Sequence, residues 1–415
     1  MNPAFFPKSP NRTDVSVTDM ARLFFSDPET LLAMGIHLQR PWLVRLALWR
    51  NANPSTYSFE TQKDLEANLP TSSIFLELGR FSPLHHAAYK GNAAICELLL
   101  AQGVSPNTPN NMGITPLHVA TLKNDTLCAN TLLCAGAKPD QADHEGFTPL
   151  HHAAMAGNIC ESMFGCLMVA GSDPDRVDKN GYSPLYMAIH YRNEHAARSL
   201  LKAGASHSLR TCKSKNTALH LSATHDDMSG ITQEIINRGA RINAEDKDGV
   251  SPLMRAVQNR SGENARILLE NSANPNTPDH ARKTPLMAAT SPKIVDLLLR
   301  HGANPNLEDT DGFTPLMHHC RQGHEQQALQ LVQAGARINH AAKNGQTPLM
   351  LACQNMAHEI VDLLVENHAD TEALDAEHKT AFDHLFTGVL EGIASSLRKK
   401  PILVVAPAPA PKAPF

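Results

Sequence analysis

Three pairs of adjacent histidines, His85-His86, His151-His152 and His318-His319, are the groups in this sequence best suited to chemistry, and the last pair runs on into Cys320. Imidazole ligates metals, relays protons and activates thiols near neutral pH, because one ring offers both a donor and an acceptor. His319 beside Cys320 has the composition of a thiol–imidazole nucleophile. Cys128, Cys134, Cys160 and Cys166 fall in successive stretches that could approach one another, as the thiolates of a tetrahedral zinc site must. Against this, there is no Cys-x-x-Cys pair, and the signatures of phosphate-binding loops, serine hydrolases, zinc proteases and kinases are missing. What these side chains do depends on the elements that hold them.

Those elements recur. Ser82-Pro83-Leu84-His85 returns as Thr115-Pro116-Leu117-His118, Thr148-Pro149-Leu150-His151, Ser183-Pro184-Leu185-Tyr186 and Thr217-Ala218-Leu219-His220. It returns again at Ser251, Thr284, Thr314, Thr347 and, in degenerate form, Thr380, with successive starts 33, 33, 35, 34, 34, 33, 30, 33 and 33 residues apart. A hydroxyl followed by proline supplies an N-cap and a preset φ for the first helical turn. Leu84 with Ala87 and Ala88 makes a narrow apolar face, and a second helix follows with Ile95, Leu98 and Leu99 on one side. Gly91 and Gly157 are expected to stop the first helix in the left-handed region. Gly103, Gly136, Gly171, Gly204, Gly239, Gly302 and Gly335 are expected to stop the second, with Ser272 and His368 standing in. Polar hairpin-like loops such as residues 107–111 and 308–312 join the units. The unit from Thr284 is three residues short, assigned to the turn between Ala289 and Lys293. The unit from Thr148 has two extra residues, assigned to 161–165.

The Thr-Pro-Leu-His-x-Ala run at a period near 33, followed by Gly302-Ala303-Asn304-Pro305-Asn306, resembles the ankyrin repeat across residues 82 to about 400. Tetratricopeptide arrays have a similar period but a Trp/Gly/Tyr/Pro signature that this chain lacks. The resemblance implies an all-α ankyrin-repeat α-solenoid of helix-turn-helix units joined by hairpin-like loops. It also implies that His85 and His151 brace adjacent loops by hydrogen bonds. His318 and His319 fall one and two places past the motif position, which Met317 holds; Met254, Met287, Met350 and Tyr186 depart in the same way and should brace less. Cys320 and Cys353 take the small-residue place filled by Ala88 and Ala154, which makes them small buried hydrophobes. No catalytic residue, metal ligand or cofactor is therefore expected.

A stacked array presents its loop tips and first helices as one concave surface, where the resemblance places partner recognition. Just before each motif stand Phe81, Ile114, Phe147, Tyr182, Asn216, Val250, Lys283, Phe313, Gln346 and Lys379. First helices end in Tyr89, Met155 or His190-Tyr191 in three of the early units. The face is largely aromatic and apolar as far as Tyr191 and mostly polar from Asn216 onward. With only 5% of the chain aromatic, Phe81, Tyr89, Phe147, Met155, Tyr182, His190 and Tyr191 form the candidate partner-binding group. Packing of these rings against neighbouring loops is the structural alternative.

The 37 Lys+Arg against 41 Asp+Glu argue against a nucleic-acid binder. Eight cysteines without paired spacing suggest reduced thiols in an intracellular, cytoplasmic protein. No apolar run approaches the roughly 20 residues that span a bilayer, and residues 1–20 lack a secretory pattern. The expected partner is another protein or peptide, with no membrane, and the expected state is a monomer. Residues 1–27 read as an N-terminal segment. Residues 28–81 read as a degenerate cap-like repeat plus a joining segment, with a separate helical cap as the alternative. Residues 82–400 form the array, with a last helix over 389–399, and 401–415 a Pro/Ala-rich disordered tail. The function expected is a non-enzymatic protein–protein interaction scaffold. The alternatives are a substrate-recruiting adaptor of a ubiquitin-type system, although no F-box or SOCS-box pattern is visible, and a bacterial effector delivered into a eukaryotic host cell.

Overall fold

Helices of seven to nine residues do not persist alone in water, because nucleation costs more than so few hydrogen bonds return. Their stability here comes from stacking. The computed structural model describes residues 27–55, 81–157 and 160–386. Among these residues every regular element is a helix, and the chain forms two compact units, Met1–Lys213 and Ser214–Phe415. The expected last helix and tail, and most of the joining segment, lie outside the described residues.

The first unit opens with α1 (Pro28–His37) and α2 (Pro41–Trp49), followed by Asn51 at φ 67°. Four helix pairs follow: α3 (Pro83–Tyr89) and α4 (Ala93–Ala101), α5 (Pro116–Leu122) and α6 (Thr126–Cys134), α7 (Pro149–Met155) and α8 (Glu161–Val169), α9 (Pro184–His190) and α10 (Glu194–Lys202). The second unit contains α11 (Ala218–Ser222), a 3-10 turn at Asp226–Met228 and α12 (Ser229–Asn237). It continues with α13 (Pro252–Gln258), α14 (Gly262–Glu270), α15 (Pro285–Ala288), α16 (Pro292–Arg300), α17 (Pro315–Gln322), α18 (Glu325–Gln333), α19 (Pro348–Gln354) and α20 (His358–Glu366). Within each unit first helices pack on first helices and second on second. The motif leucines Leu84, Leu117, Leu150 and Leu185 line one core, and Leu219, Leu253, Leu286, Leu316 and Leu349 the other, all buried. Each contributes about 1.5–3 kcal/mol of transfer free energy. The alanines beside them are buried too and let the helix axes approach closely.

The second helices end as expected: Gly103 through Gly335 hold positive φ, and Ser272 (70°) and His368 (65°) adopt the same region without being glycine. First-helix ends are less dependent on glycine. Gly91 is left-handed at φ 70°, but Asn124, Arg192, Arg260 and Met356 do the same at 54–58°. Gly157 does not: α7 breaks earlier, where Ala156 turns to extended backbone at ψ 119°. α8 keeps the nine-residue length of its neighbours, so the two extra residues of that repeat fall between Met155 and Glu161 and not within α8. The three missing residues of the Thr284 repeat come out of the first helix, so α15 has only four residues while the turn at 289–291 keeps its length. Deletion from the turn would prevent the chain from reversing.

Shortened helices expose carbonyls, and buried carbonyls need partners. The following repeat supplies them. Asn193 Nδ2 donates to the Ala156 oxygen at 2.7 Å. Asn264 Nδ2 donates to His225 O at 2.7 Å and Ser261 Oγ to Thr224 O at 2.8 Å, closing the broken end of α11. Gln327 Nε2 donates to Thr290 O at 2.6 Å and His319 Nε2 to Leu286 O at 3.1 Å, closing α15.

Candidate protein-interaction surface

The histidines prove to be braces with an assignable tautomer. His118 Nδ1 lies 3.1 Å from the Thr115 amide, which can only donate, so Nδ1 accepts. Its Nε2 lies 3.1 Å from the Phe147 carbonyl, which can only accept, so Nε2 carries the proton. His85 reaches Ile114 O at 2.8 Å, His151 reaches Tyr182 O at 2.9 Å and His220 reaches Val250 O at 3.1 Å in the same way. Burial, which disfavours the cation, pushes the imidazoles of His85 and His220 down to about 4 and that of His118 to about 3. These rings are neutral crossbars. At the methionine positions the sulfur of Met287 or Met350 meets the amide of its own Thr284 or Thr347 at 3.4 Å, while the side chain is buried.

The histidine one place past the motif position does something else in two repeats. His152 Nε2 sits 3.0 Å from Asp143 Oδ2, and His318 Nε2 sits 2.8 Å from Asp309 Oδ2. The same pairing joins Asp375 to His384 at 2.7 Å, and Asp246 to Arg255. In each case the other carboxylate oxygen caps the loop tip: Asp143 Oδ1 accepts from Glu145 and Phe147 amides, both at 2.9 Å. Reading the histidines by motif alone missed these pairs. The visible signal was an Asp nine residues ahead of a His or Arg. Cys320 is buried, and burial raises its thiol well above the usual range, so the His319-Cys320 neighbours do not form an activated nucleophile. Among the described residues no three His, Cys, Asp or Glu side chains converge on a metal position.

Brace and cap act on the same peptide. Phe147 has its amide held by Asp143 and its carbonyl by His118; Tyr182 has its amide held by Asp178 at 2.7 Å and its carbonyl by His151. The loop residue that projects from the array is thus fixed at both ends before any partner arrives. The rings lie on the first helices: Tyr182 stacks on Tyr186 at 4.9 Å between centroids, and Phe81 stacks on His85 at 5.5 Å. Phe147 leans on His151 and His152 at 5.7 and 5.9 Å, and Lys123 Nζ stands 4.6 Å from the centre of the Tyr89 ring. Phe81, Tyr89, Phe147, Met155 and Tyr182 are therefore half-buried. His190 and Tyr191, at the end of α9, are exposed with their rings edge to face at 5.2 Å, and Tyr191 keeps 55% of its surface. Ile114, Val250 and Phe313, at equivalent loop positions, are buried.

A family model described as ankyrin repeats in three copies matches residues 64–143, 84–165, 150–246, 219–309 and 286–375, and the chain belongs to that family. Ankyrin repeats are generally protein–protein interaction modules. Among the described residues no helix is long and apolar enough to cross a membrane.

Proposed function

We propose that this chain is a non-enzymatic cytoplasmic scaffold that captures a partner protein or peptide on the first-helix face of its N-terminal unit. The partner meets Phe81, Tyr89, Phe147, Met155, Tyr182, His190 and Tyr191, with Tyr191 and His190 as the exposed anchors. The observation that carries this reading is the double fixation of the Phe147 and Tyr182 peptides, which removes loop entropy that binding would otherwise cost. Half-buried rings around an exposed pair suit an anchor with a surrounding shell that keeps water out. All eight cysteines are free, which supports a reducing compartment.

Capture from cell lysate by the whole chain, beside a Phe147→Ala/Tyr182→Ala/Tyr191→Ala variant of matched helical content, tests the reading. The expected result is a protein held by the first and lost by the second. Equal capture by both would remove this face as the binding site.

A further inference from the structure

The first helical pair bears an apolar patch that the fold does not use. α2 turns Leu43, Val44 and Ala47 inward. It leaves Trp42 and Trp49 outside, 41% and 72% exposed, with Leu38 of the preceding turn 52% exposed. Spacings of three and seven residues set Trp42, Arg45 and Trp49 on one helical face, with the exposed Arg45 between the indoles and the exposed Arg40 at the helix start. These are the two tryptophans of the whole chain. No carboxylate occurs from Leu38 to Asn53. Asp27 and Glu29, the acidic side chains of this segment, bond to Thr30 and to the Asn53 amide.

We propose that this patch docks on an anionic lipid surface. Trp42, Trp49 and Leu38 enter the boundary between headgroups and acyl chains, and Arg40 and Arg45 meet lipid phosphates. An indole, apolar with one polar edge, favours that boundary, and cations without neighbouring carboxylates favour an anionic leaflet. A bilayer yields around protruding side chains such as these. The contact lies in the plane of the surface, since nine residues cannot span a bilayer. The expectation of no membrane partner rested on spanning segments and does not cover it. The proposal is independent of the aromatic face.

Because Trp42 and Trp49 are the whole indole content, selective tryptophan emission of the full chain reports on the patch without a label. Vesicles of phosphatidylcholine containing phosphatidylserine should shift that emission to the blue and co-sediment the protein, and salt should weaken both effects. Vesicles of phosphatidylcholine alone should do neither. Trp49→Ala and Arg45→Glu, checked for unchanged thermal unfolding, should each lower partition by roughly tenfold. Emission unmoved by anionic vesicles overturns the proposal. So does emission already blue-shifted without lipid, which would mean that protein covers the patch, and so does partition that survives both substitutions.

Discussion

Histidine and methionine occupy the same position in different repeats, and the comparison isolates what the brace is worth. His118→Met keeps a large buried side chain but leaves the Phe147 carbonyl with the Asp143 amide as its remaining donor, so stability should fall by about 0.5–1.5 kcal/mol. His118→Ala also opens a cavity, and its loss should be larger, on the order of 3 kcal/mol; urea unfolding separates the two. The neutral state of the braces gives a pH dependence with a definite sign. His85, His118, His220 and His319 have folded pKa values near 4, 3, 4 and 4, against 6.5 for a free imidazole. Between pH 6.5 and those values the unfolded chain binds more protons, so acidification favours unfolding. Each histidine then weakens folding by up to about 1.4 kcal/mol per pH unit in that window. The melting temperature should drop steeply from pH 6.5 to 4.5 and stay flat from 7 to 8. A flat profile through pH 5 would refute neutral bracing. Tyr191, by contrast, braces nothing in the array, so Tyr191→Ala should leave melting nearly unchanged while weakening partner affinity by roughly thirtyfold, as a 2 kcal/mol anchor would.

At the level of helices and turns, the period and the caps were legible because they depend on local chemistry: a hydroxyl before proline, an apolar stripe, a glycine at a left-handed turn. The locations of the irregularities were not. The sequence shows that one repeat is two residues long and another three short, but which element absorbs the change depends on tertiary packing, and both were assigned to the wrong place. Exposure of the candidate rings was equally hidden, since Phe147 and Phe313 are the same residue at one motif position, yet one is half-buried and the other buried. Two predictions belong here. Ser272 holds φ 70°, and no atom lies within 4 Å of a Cβ built at the equivalent Gly103 or Gly302. Ser272→Gly should therefore raise stability by about 0.5–1 kcal/mol, read as a higher urea midpoint. Gln327→Leu leaves the Thr290 carbonyl unpaired and should cost about 1–3 kcal/mol. An unchanged midpoint would show that water replaces the glutamine.

Within each unit, side-chain bonds between repeats divide by direction. The motif histidines reach forward to the next loop, and so does a ladder of turn residues. Asn107, Asp140 and Asp175 accept from the amides of Lys138, Asp173 and Ser206, and Asn276, Asn306 and Asn339 from those of Asn304, Arg337 and Asp370. The bonds that repair irregular repeats reach backward, from Asn193, Asn264 and Gln327. A ribosome delivers these residues in order, so a regular repeat leaves the exit tunnel complete except for its forward donors, while an irregular one waits for its successor to close it. Synthesis halted just after Arg300 would strand the open carbonyls of α15, and synthesis halted after Asn367 would strand none of that kind. Nascent chains arrested at the first point should be more open to protease than those arrested at the second, although both end between repeats.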